Sequence, residues 1–462
     1  MFSEQDTQKG MRISVLEGSF ATVHVTLTTG AFLTGFALLL GANDFQIALL
    51  MSLPLLTQVL QIFSVHAIER FGYRKWISGI FSVFGRSLWA LPAIIPLIPK
   101  LKDHAISIFL ICFIFISMSL SFAGAPWLSW MADLVPAQIR GRYFGMRNMV
   151  TGIVTMMTSI GAGQLLDHYK MKNSLDLGYS IVLIIAVLCG IIAFYFLTKQ
   201  PEPPYQRMPS YHFVNYLLKP FHSTNFRKLL YFYLFFTFAL SLASSYFPVY
   251  LLKTLNWSFS SLALMTIGSS IITLLTQPLW GRIVDRFGHK PVIKTTVIGL
   301  LPLPILYIIA TPTHSWPIWL DIFFTGMFWS GFNLVMFNMV IYSLPQQGRP
   351  AFLAVYSAMT GVTNFIGMII GGFLAQHLSP IQLNILGHPF INYHFLFLLT
   401  LILRTAAIPL INGLAEPEAK TVGVMVRSIF LTINRHVSLG HASWFLGKNN
   451  RKTEIACPEC ET

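Results

Sequence analysis

Residues 105–131 read AISIFLICFIFISMSLSFAGAPWLSWM, twenty-seven consecutive positions without a charged side chain. An α-helix rises about 1.5 Å per residue, so about 20 apolar residues carry a chain across the hydrocarbon of a bilayer. Working outward from this stretch, apolar runs of similar length recur, separated by short polar segments. In the first part of the chain they cover 18–40, 45–68, 76–98, 105–131, 143–166 and 177–198. In the second part they cover 229–252, 258–281, 291–310, 317–343, 351–378 and 391–414. The expected fold is an all-α polytopic membrane protein with twelve transmembrane helices.

Composition agrees. Charged residues make up 10% of the 462 and hydrophobic ones 54%, with 39 Phe, whereas soluble domains carry roughly a quarter charged residues. A soluble fold would lack the polar residues to cover its surface. The net charge of +14 does not point to nucleic acid, because the basic residues are dispersed through short segments between apolar spans. Assigning those segments alternately to two sides puts 24 Lys and Arg on the side of both termini and five on the other. The five are Lys100, Lys102, Lys170, Lys172 and Lys253. The positive-inside rule then predicts cytoplasmic termini, in a plasma membrane. The polar first sixteen residues do not read as a cleavable signal peptide.

The expected organisation is a cytoplasmic N-terminus 1–17, a six-helix bundle 18–198, a Pro-rich basic linker 199–228, a second bundle 229–414 and a cytoplasmic tail 415–462. Cys112 and Cys189 sit in apolar runs as small hydrophobes. The terminal Cys457-Pro-Glu-Cys460 supplies only half of a zinc site, so no metal and no cofactor is expected.

The two bundles repeat one another. Glu69-Arg70-Phe71-Gly72-Tyr73-Arg74 aligns with Asp285-Arg286-Phe287-Gly288-His289-Lys290 at an offset of 216. Pro136 to Arg140 aligns with Pro345 to Arg349 at an offset of 209, and that offset continues ungapped through Thr151-Gly152 and Thr360-Gly361 to Gly163 and Gly372. A duplicated six-helix unit is a common plan for secondary transporters.

These loops resemble the major facilitator superfamily, whose pattern between helices two and three is Gly-x-x-x-Asp-Arg-x-Gly-(Arg/Lys)-(Arg/Lys). Gly281-Arg282-Ile283-Val284-Asp285-Arg286-Phe287-Gly288-His289-Lys290 follows it nearly throughout; the first copy has Val65 and Glu69 at the Gly and Asp positions. The resemblance covers about residues 15–414. It implies a conformational latch at Glu69, Arg70, Gly72, Asp285, Arg286 and Gly288, in which acids and bases at helix ends pair across moving elements. Asp133, ending the fourth helix, extends the latch by pairing with Arg70 or Arg142. Two features of proton antiporters in the family are missing: Leu120 stands where an Arg would precede Gly124, and Gly161-Ala162-Gly163 has no Pro.

A solute site is expected near midplane, where polar side chains are costly. The candidates are His24, Thr28, Gln61, Arg86, Trp127, Asn148, Gln277, Trp329, Asn333 and Asn364. Their Asn, Gln, Thr and aromatic character favours a neutral or amphipathic solute, although hydrogen bonds between helices use the same residues. Arg86 and Arg404 fall near mid-membrane; an anion site is open for Arg86, and a structural hydrogen-bonding role is expected of Arg404. Glu17, at the start of the first helix, and His24 are the proton-coupling candidates, while Asp167 and Asp321 read as interfacial acids. No nucleotide-binding loop, paired catalytic carboxylates or nucleophile motif points to an enzyme. The expected function is secondary active transport of a small organic solute by alternating access, with or without proton coupling, by a monomer surrounded by membrane lipids. A flippase-like carrier of lipids or amphiphiles and a non-transporting sensor or scaffold are the alternatives.

Overall fold

The computed structural model describes residues 3–136, 139–204, 221, 224–342, 349–381, 383–385, 388–414, 416 and 419–428. Its helices group into twelve segments. In the first half α1 comprises Glu4–Thr28 and Gly30–Leu39, α2 runs through Asp44–Thr57 and Gln61–Phe71, and α3 begins as Arg74–Ser87. Then follow α4 (Ala105–Leu134), α5 (Arg140–Met171) and α6 (Leu175–Lys199). In the second half α7 is Thr224–Thr254 and α9 is His289–Ile309, with α8 (Phe259–Phe287), α10 (Trp319–Tyr342), α11 (Arg349–His377) and α12 (Asn392–Ile411). Ten of these are long and apolar enough to cross a membrane singly, and the bent α1 makes an eleventh. In α2 the apolar part, Asp44–Leu60, is shorter and reaches full length through Gln61–Phe71. A short hairpin, Leu383–Ile385 with His388–Phe390, is the departure from helix among the described residues.

The first helix begins at Glu4, well before the expected residue 18. Ser3 and Asp6 form a capping box there, with the Asp6 N–H donating to Ser3 Oγ at 3.1 Å, which satisfies donors that a helix start leaves open. The polar segment after it is held by neighbours rather than by hydrophobicity: Tyr143 Oη donates to Met11 O at 3.0 Å. The bend in α1 has a backbone cause. Thr29 is extended and Gly30 takes φ +59° in open space, a conformation that glycine adopts at no steric cost.

The motif glycines do the same work in both halves. Gly72 (φ +77°) and Gly288 (φ +89°) stop α2 and α8, donating their N–H groups to Ile68 O at 2.7 Å and Val284 O at 2.8 Å. A second repeated pair sets the contact between halves. A side chain at Gly163 would meet the backbone of Ser260 at 3.1 Å, and one at Gly372 would meet Ala48 Cβ at 2.6 Å. Through these glycines α5 lies against α8 and α11 against α2, one helix from each half on either flank.

Charged groups complete that contact at the end of the molecule away from the repeated loops. Asp44 opens α2 and accepts Tyr393 Oη at 2.7 Å and Asn392 Nδ2 at 3.0 Å on its carboxylate, and Tyr246 Oη at 3.0 Å on its carbonyl. Asp167, near the end of α5, accepts the N–H groups of Phe259 and Ser260 at 2.9 Å each. It thereby caps α8, where a helix start favours an anion. Asp167 is therefore a cross-half cap and not merely an interfacial acid. Among the described residues, the hydrogen bonds found between halves all lie here. The largest apolar cluster also joins both halves at this end, through Phe36, Tyr179, Tyr246, Phe259 and Tyr393. At the opposite end the cores are separate, one around Trp130 and Leu134, the other around Phe287, Met339 and Ile411.

Removing the Asp44 carboxylate leaves the buried Tyr393 hydroxyl unsatisfied, at a cost of about 1–3 kcal/mol. Asp44→Ala should lower thermal stability in detergent by that amount, and adding Tyr393→Phe should cost little more. Fully additive losses would show that the two groups are not coupled.

Candidate functional site

At the end bearing the repeated loops each half ties its own helices together. Arg74, fully buried at the start of α3, forms an ion pair with Asp133 at the end of α4 and lies 3.6 Å from Glu202. It also donates to Ser129 O at 3.2 Å and Pro203 O at 3.0 Å. Glu202, just after α6, accepts the N–H groups of Arg74 and Lys75 at 3.0 and 3.3 Å. The second half repeats the device. Glu416, just after α12, accepts the N–H groups of His289 at 2.9 Å and Lys290 at 2.7 Å, with His289 Nδ1 also at 2.7 Å. Partial burial alone would raise the Glu416 carboxyl, but these hydrogen bonds outweigh it and hold the group below its ordinary 4.5.

Asp133 thus meets Arg74, not the expected Arg70 or Arg142. The reason is helix geometry: Arg74 opens α3 facing inward, whereas Arg70 is exposed on the last turn of α2 with its guanidinium 5.7 Å from the Phe71 ring. Asp285 and Arg286 are exposed as well. The side chain of Glu69 lies outside the described residues. Among the described residues, no ion pair at this end crosses between halves.

Two cavities are related by the internal repeat, one between the halves and the other within the second half apart from Leu55. One, of about 390 Å³, is lined by α1, α5 and α8 and includes Thr22, Thr26, Arg147, Ser159 and Thr266. The other, of about 410 Å³, is lined by α7 and α11 with Leu55 of α2 and groups from α9, α10 and α12. Its walls carry Tyr233, Thr237, Tyr307, Asp321, Trp329, Asn364 and Arg404. Tyr233 stacks on Tyr356 with centroids 4.9 Å apart, and Trp329 stands edge-on to Phe332 at 5.5 Å.

Of the residues expected to meet solute, Trp329 and Asn364 line a cavity. Asn333 is exposed one turn beyond Trp329, and Asn148 and Gln277 are exposed without lining either cavity. Gln61 is partly buried with its amide near Gly124. His24 is buried with Nδ1 2.9 Å from Ala186 O of α6, and Thr28 donates to His24 O at 2.7 Å. Trp127 lies under the Arg147 guanidinium at 4.9 Å.

The early start of α1 moves Glu17 inward. It lies about 20 Å along the helix, buried between Arg86 of α3 at 3.8 Å and Arg147 of α5 at 3.6 Å. Arg86 accordingly lines neither cavity. Glycines make this cluster possible: a side chain at Gly190 would strike Arg86 Cβ at 2.8 Å, and one at Gly18 would strike the Arg147 guanidinium. Arg147, counted in the sequence among the basic residues of the cytoplasmic side although within the expected fifth span, is about two turns inside α5. Its spacing from Arg140, seven positions on, was the available signal for one inward helix face.

In the second half Arg404 makes hydrogen bonds of the kind expected of it and also lines the second cavity. Pro304 has no N–H for the Leu300 carbonyl, and Arg404 Nη1 donates to that carbonyl at 3.3 Å while Nε donates to Thr400 Oγ1 at 3.2 Å. Asp321, expected at the surface, is 7% exposed and accepts Thr325 Oγ1 at 3.0 Å.

The model of the Major Facilitator Superfamily matches residues 18–269 and 229–422. Among solved structures, a point mutant of the nucleoside transporter NupG superposes with a TM-score of 0.68 at 14% identity, covering 89% of this chain and 100% of that one. A D-xylose-proton symporter gives 0.65 at 16%, covering 89% and 99%. A bacterial homolog to the human lysosomal transporter Spinster, inward-facing and unoccupied, gives 0.59 at 14%, covering 89% and 95%. At these identities the likeness is one of fold. No curated protein matches the chain.

Two outcomes test the helix-end knots. Asp133 is half exposed, so Asp133→Asn should cost at most about 1 kcal/mol. Arg74→Gln, which strips several buried acceptors of their donor, should cost about 3 kcal/mol. Equal losses in thermal unfolding would contradict this division. For Glu416, the lowered value means that its contribution is present above the ordinary carboxylate range and lost as pH falls through the folded value. The stability gap between wild type and Glu416→Gln should therefore be full at pH 7, persist at pH 5 and close in stronger acid. A gap already closed at pH 5 would refute the assignment.

Proposed function

The chain belongs to the Major Facilitator Superfamily and is an integral membrane protein, and from that premise we propose that it is a secondary active transporter of a small organic solute, working by alternating access. The observation that carries this reading is the one-sided contact between halves. Hydrogen bonds, paired glycines and the shared apolar cluster gather at one end, and the cores are separate at the other.

The alternation follows from that geometry. The two halves are rigid units, each tied at its loop end by its own acid, Glu202 or Glu416. Rocking them about the α2–α11 and α5–α8 contacts would break the Asp44 and Asp167 bonds and bring the repeated loops together. Glu69, Arg70, Asp285, Arg286 and Asp133 would then form the latch of the alternate state, on the glycine-terminated helix ends at Gly72 and Gly288. A few kcal/mol of hydrogen bonding at either end suffices for two states of comparable population. The 24-to-five distribution of basic residues supports cytoplasmic termini, which makes this the inward-open state, in a plasma membrane.

Solute would lie between the halves. The cavity of α7, α10 and α11, with Tyr233, Trp329 and Asn364, suits the apolar or ring portion of an amphipathic molecule. Proton coupling, where present, falls to Glu17 rather than His24, whose ring is tied to the α6 backbone.

Purified protein in liposomes should accumulate or exchange at least one solute from a broad organic panel, with the pH gradient varied to reveal coupling. Weakening the closed end with Asp167→Asn, which takes the anionic cap from α8, should change the rate of that uptake. A panel that shows no uptake would favour a sensor, and uptake at an unchanged rate would refute the rocking motion.

A further inference from the structure

The cavities differ in how their arginines are used. Arg404 is hydrogen-bonded to Thr400 and Leu300 and shares a wall with the carboxylate of Asp321. The cluster around Glu17 is not balanced in this way. Two guanidiniums, Arg86 and Arg147, share one carboxylate, so the group carries one surplus positive charge inside the bundle. The contacts of 3.8 and 3.6 Å are longer than the 2.7–2.9 Å typical of a charge-assisted hydrogen bond. Glu17 Oε2, Arg86 Nη1 and His24 Nε2 are buried and find no hydrogen-bond partner among the described residues. A buried charge is ordinarily paired and hydrogen-bonded, and this cluster falls short on both counts.

Arg147 is also the member that reaches a cavity. Its side-chain exposure, 13%, is close to the 12% of Arg86, but of the two it is Arg147 that lines the 390 Å³ space between α1, α5 and α8. Its Nε makes a long bond to Ser14 O at 3.4 Å, and the face of its guanidinium lies over Trp127. Thr22, Thr26 and Ser159 bring hydroxyls to the same space. Gly18 keeps the approach open.

From this we propose that the α1–α5–α8 cavity is a binding site for a small monocarboxylate, with Arg147 as the group that takes the carboxylate and Glu17 as the internal counter-ion it displaces. The inference deepens the carrier reading and rests on it for the solute's passage. Charge decides the class. One surplus positive charge is neutralised by one carboxylate, whereas a dianion such as phosphate would leave the bundle negative. A planar guanidinium matches a carboxylate with two parallel N–H donors, and Thr22, Thr26 and Ser159 accept or donate to hydroxyls on the solute. When the solute arrives, Glu17 remains paired with Arg86 behind it, so the bundle is never left with an uncompensated carboxylate.

The test measures binding to the full-length protein in detergent, by calorimetry, with lactate, gluconate and benzoate against glycerol, glucose and benzyl alcohol. At least one carboxylate should bind while its neutral counterpart does not. Arg147→Gln should weaken that binding at least tenfold and Arg147→Lys less, because a lysine keeps the charge but not the fork. Glu17→Gln should tighten it severalfold by removing the competing acceptor. A purely structural ion pair predicts no such opposite signs. Should the Glu17 variant fail to fold, the graded Arg147 pair still decides. Absence of binding by all three acids, or equal binding by wild type and Arg147→Gln, overturns the site. Uptake into liposomes separates the two proposals: binding without uptake overturns the carrier and keeps the site, and uptake indifferent to Arg147 does the reverse.

Discussion

Asp44 accepts hydrogen bonds from α7 and twice from α12, and Asp167 caps α8, so two acids of the first half hold three helices of the second. These bonds are effective because they lie among apolar side chains, where an unmade hydrogen bond costs more than in water. They fix which end of the molecule is shut. The cavity of α1, α5 and α8 lies between helices that this closure holds together.

The halves themselves must behave as rigid bodies for such a closure to matter. Glu202 and Glu416 provide part of that rigidity, each reaching back from beyond the last helix of its half to the start of α3 or α9. A helix start presents unpaired N–H groups and a positive dipole end, so a carboxylate there satisfies both at once. The loop between α2 and α3 is thereby held to the end of α6, and the corresponding loop to the end of α12.

Burying charge inside such a bundle is expensive, and the chain does it differently on the two sides. In the second half proline exposes a carbonyl and Arg404 fills it, a local repair. In the first half glycines at 18 and 190 admit two arginines around one acid, leaving charge to spare beside a cavity. Both Arg404 and Arg147 line a cavity, and the difference in their partners is invisible to any count of charged residues.

The sequence by itself determined the twelve helices, the internal repeat and the family, because these depend on properties written locally: apolar length, the acid-Arg-Phe-Gly pattern, and the spacing of repeated glycines. Of the residues it offered for a solute site, Trp329 and Asn364 line a cavity. Only the tertiary structure decided the partners. Asp133 turned from Arg70 to Arg74, Glu17 moved from a helix start to the bundle interior, and Arg147, one of the cytoplasmic-side basic residues by count, came to a cavity wall. The physical reason is that a helix's true beginning depends on capping and neighbours as well as hydrophobicity, and a shift of a few turns changes both the depth and the facing of every charge upon it. Pairing across more than a hundred residues is a property of the packed bundle, where distance along the chain no longer measures distance in space.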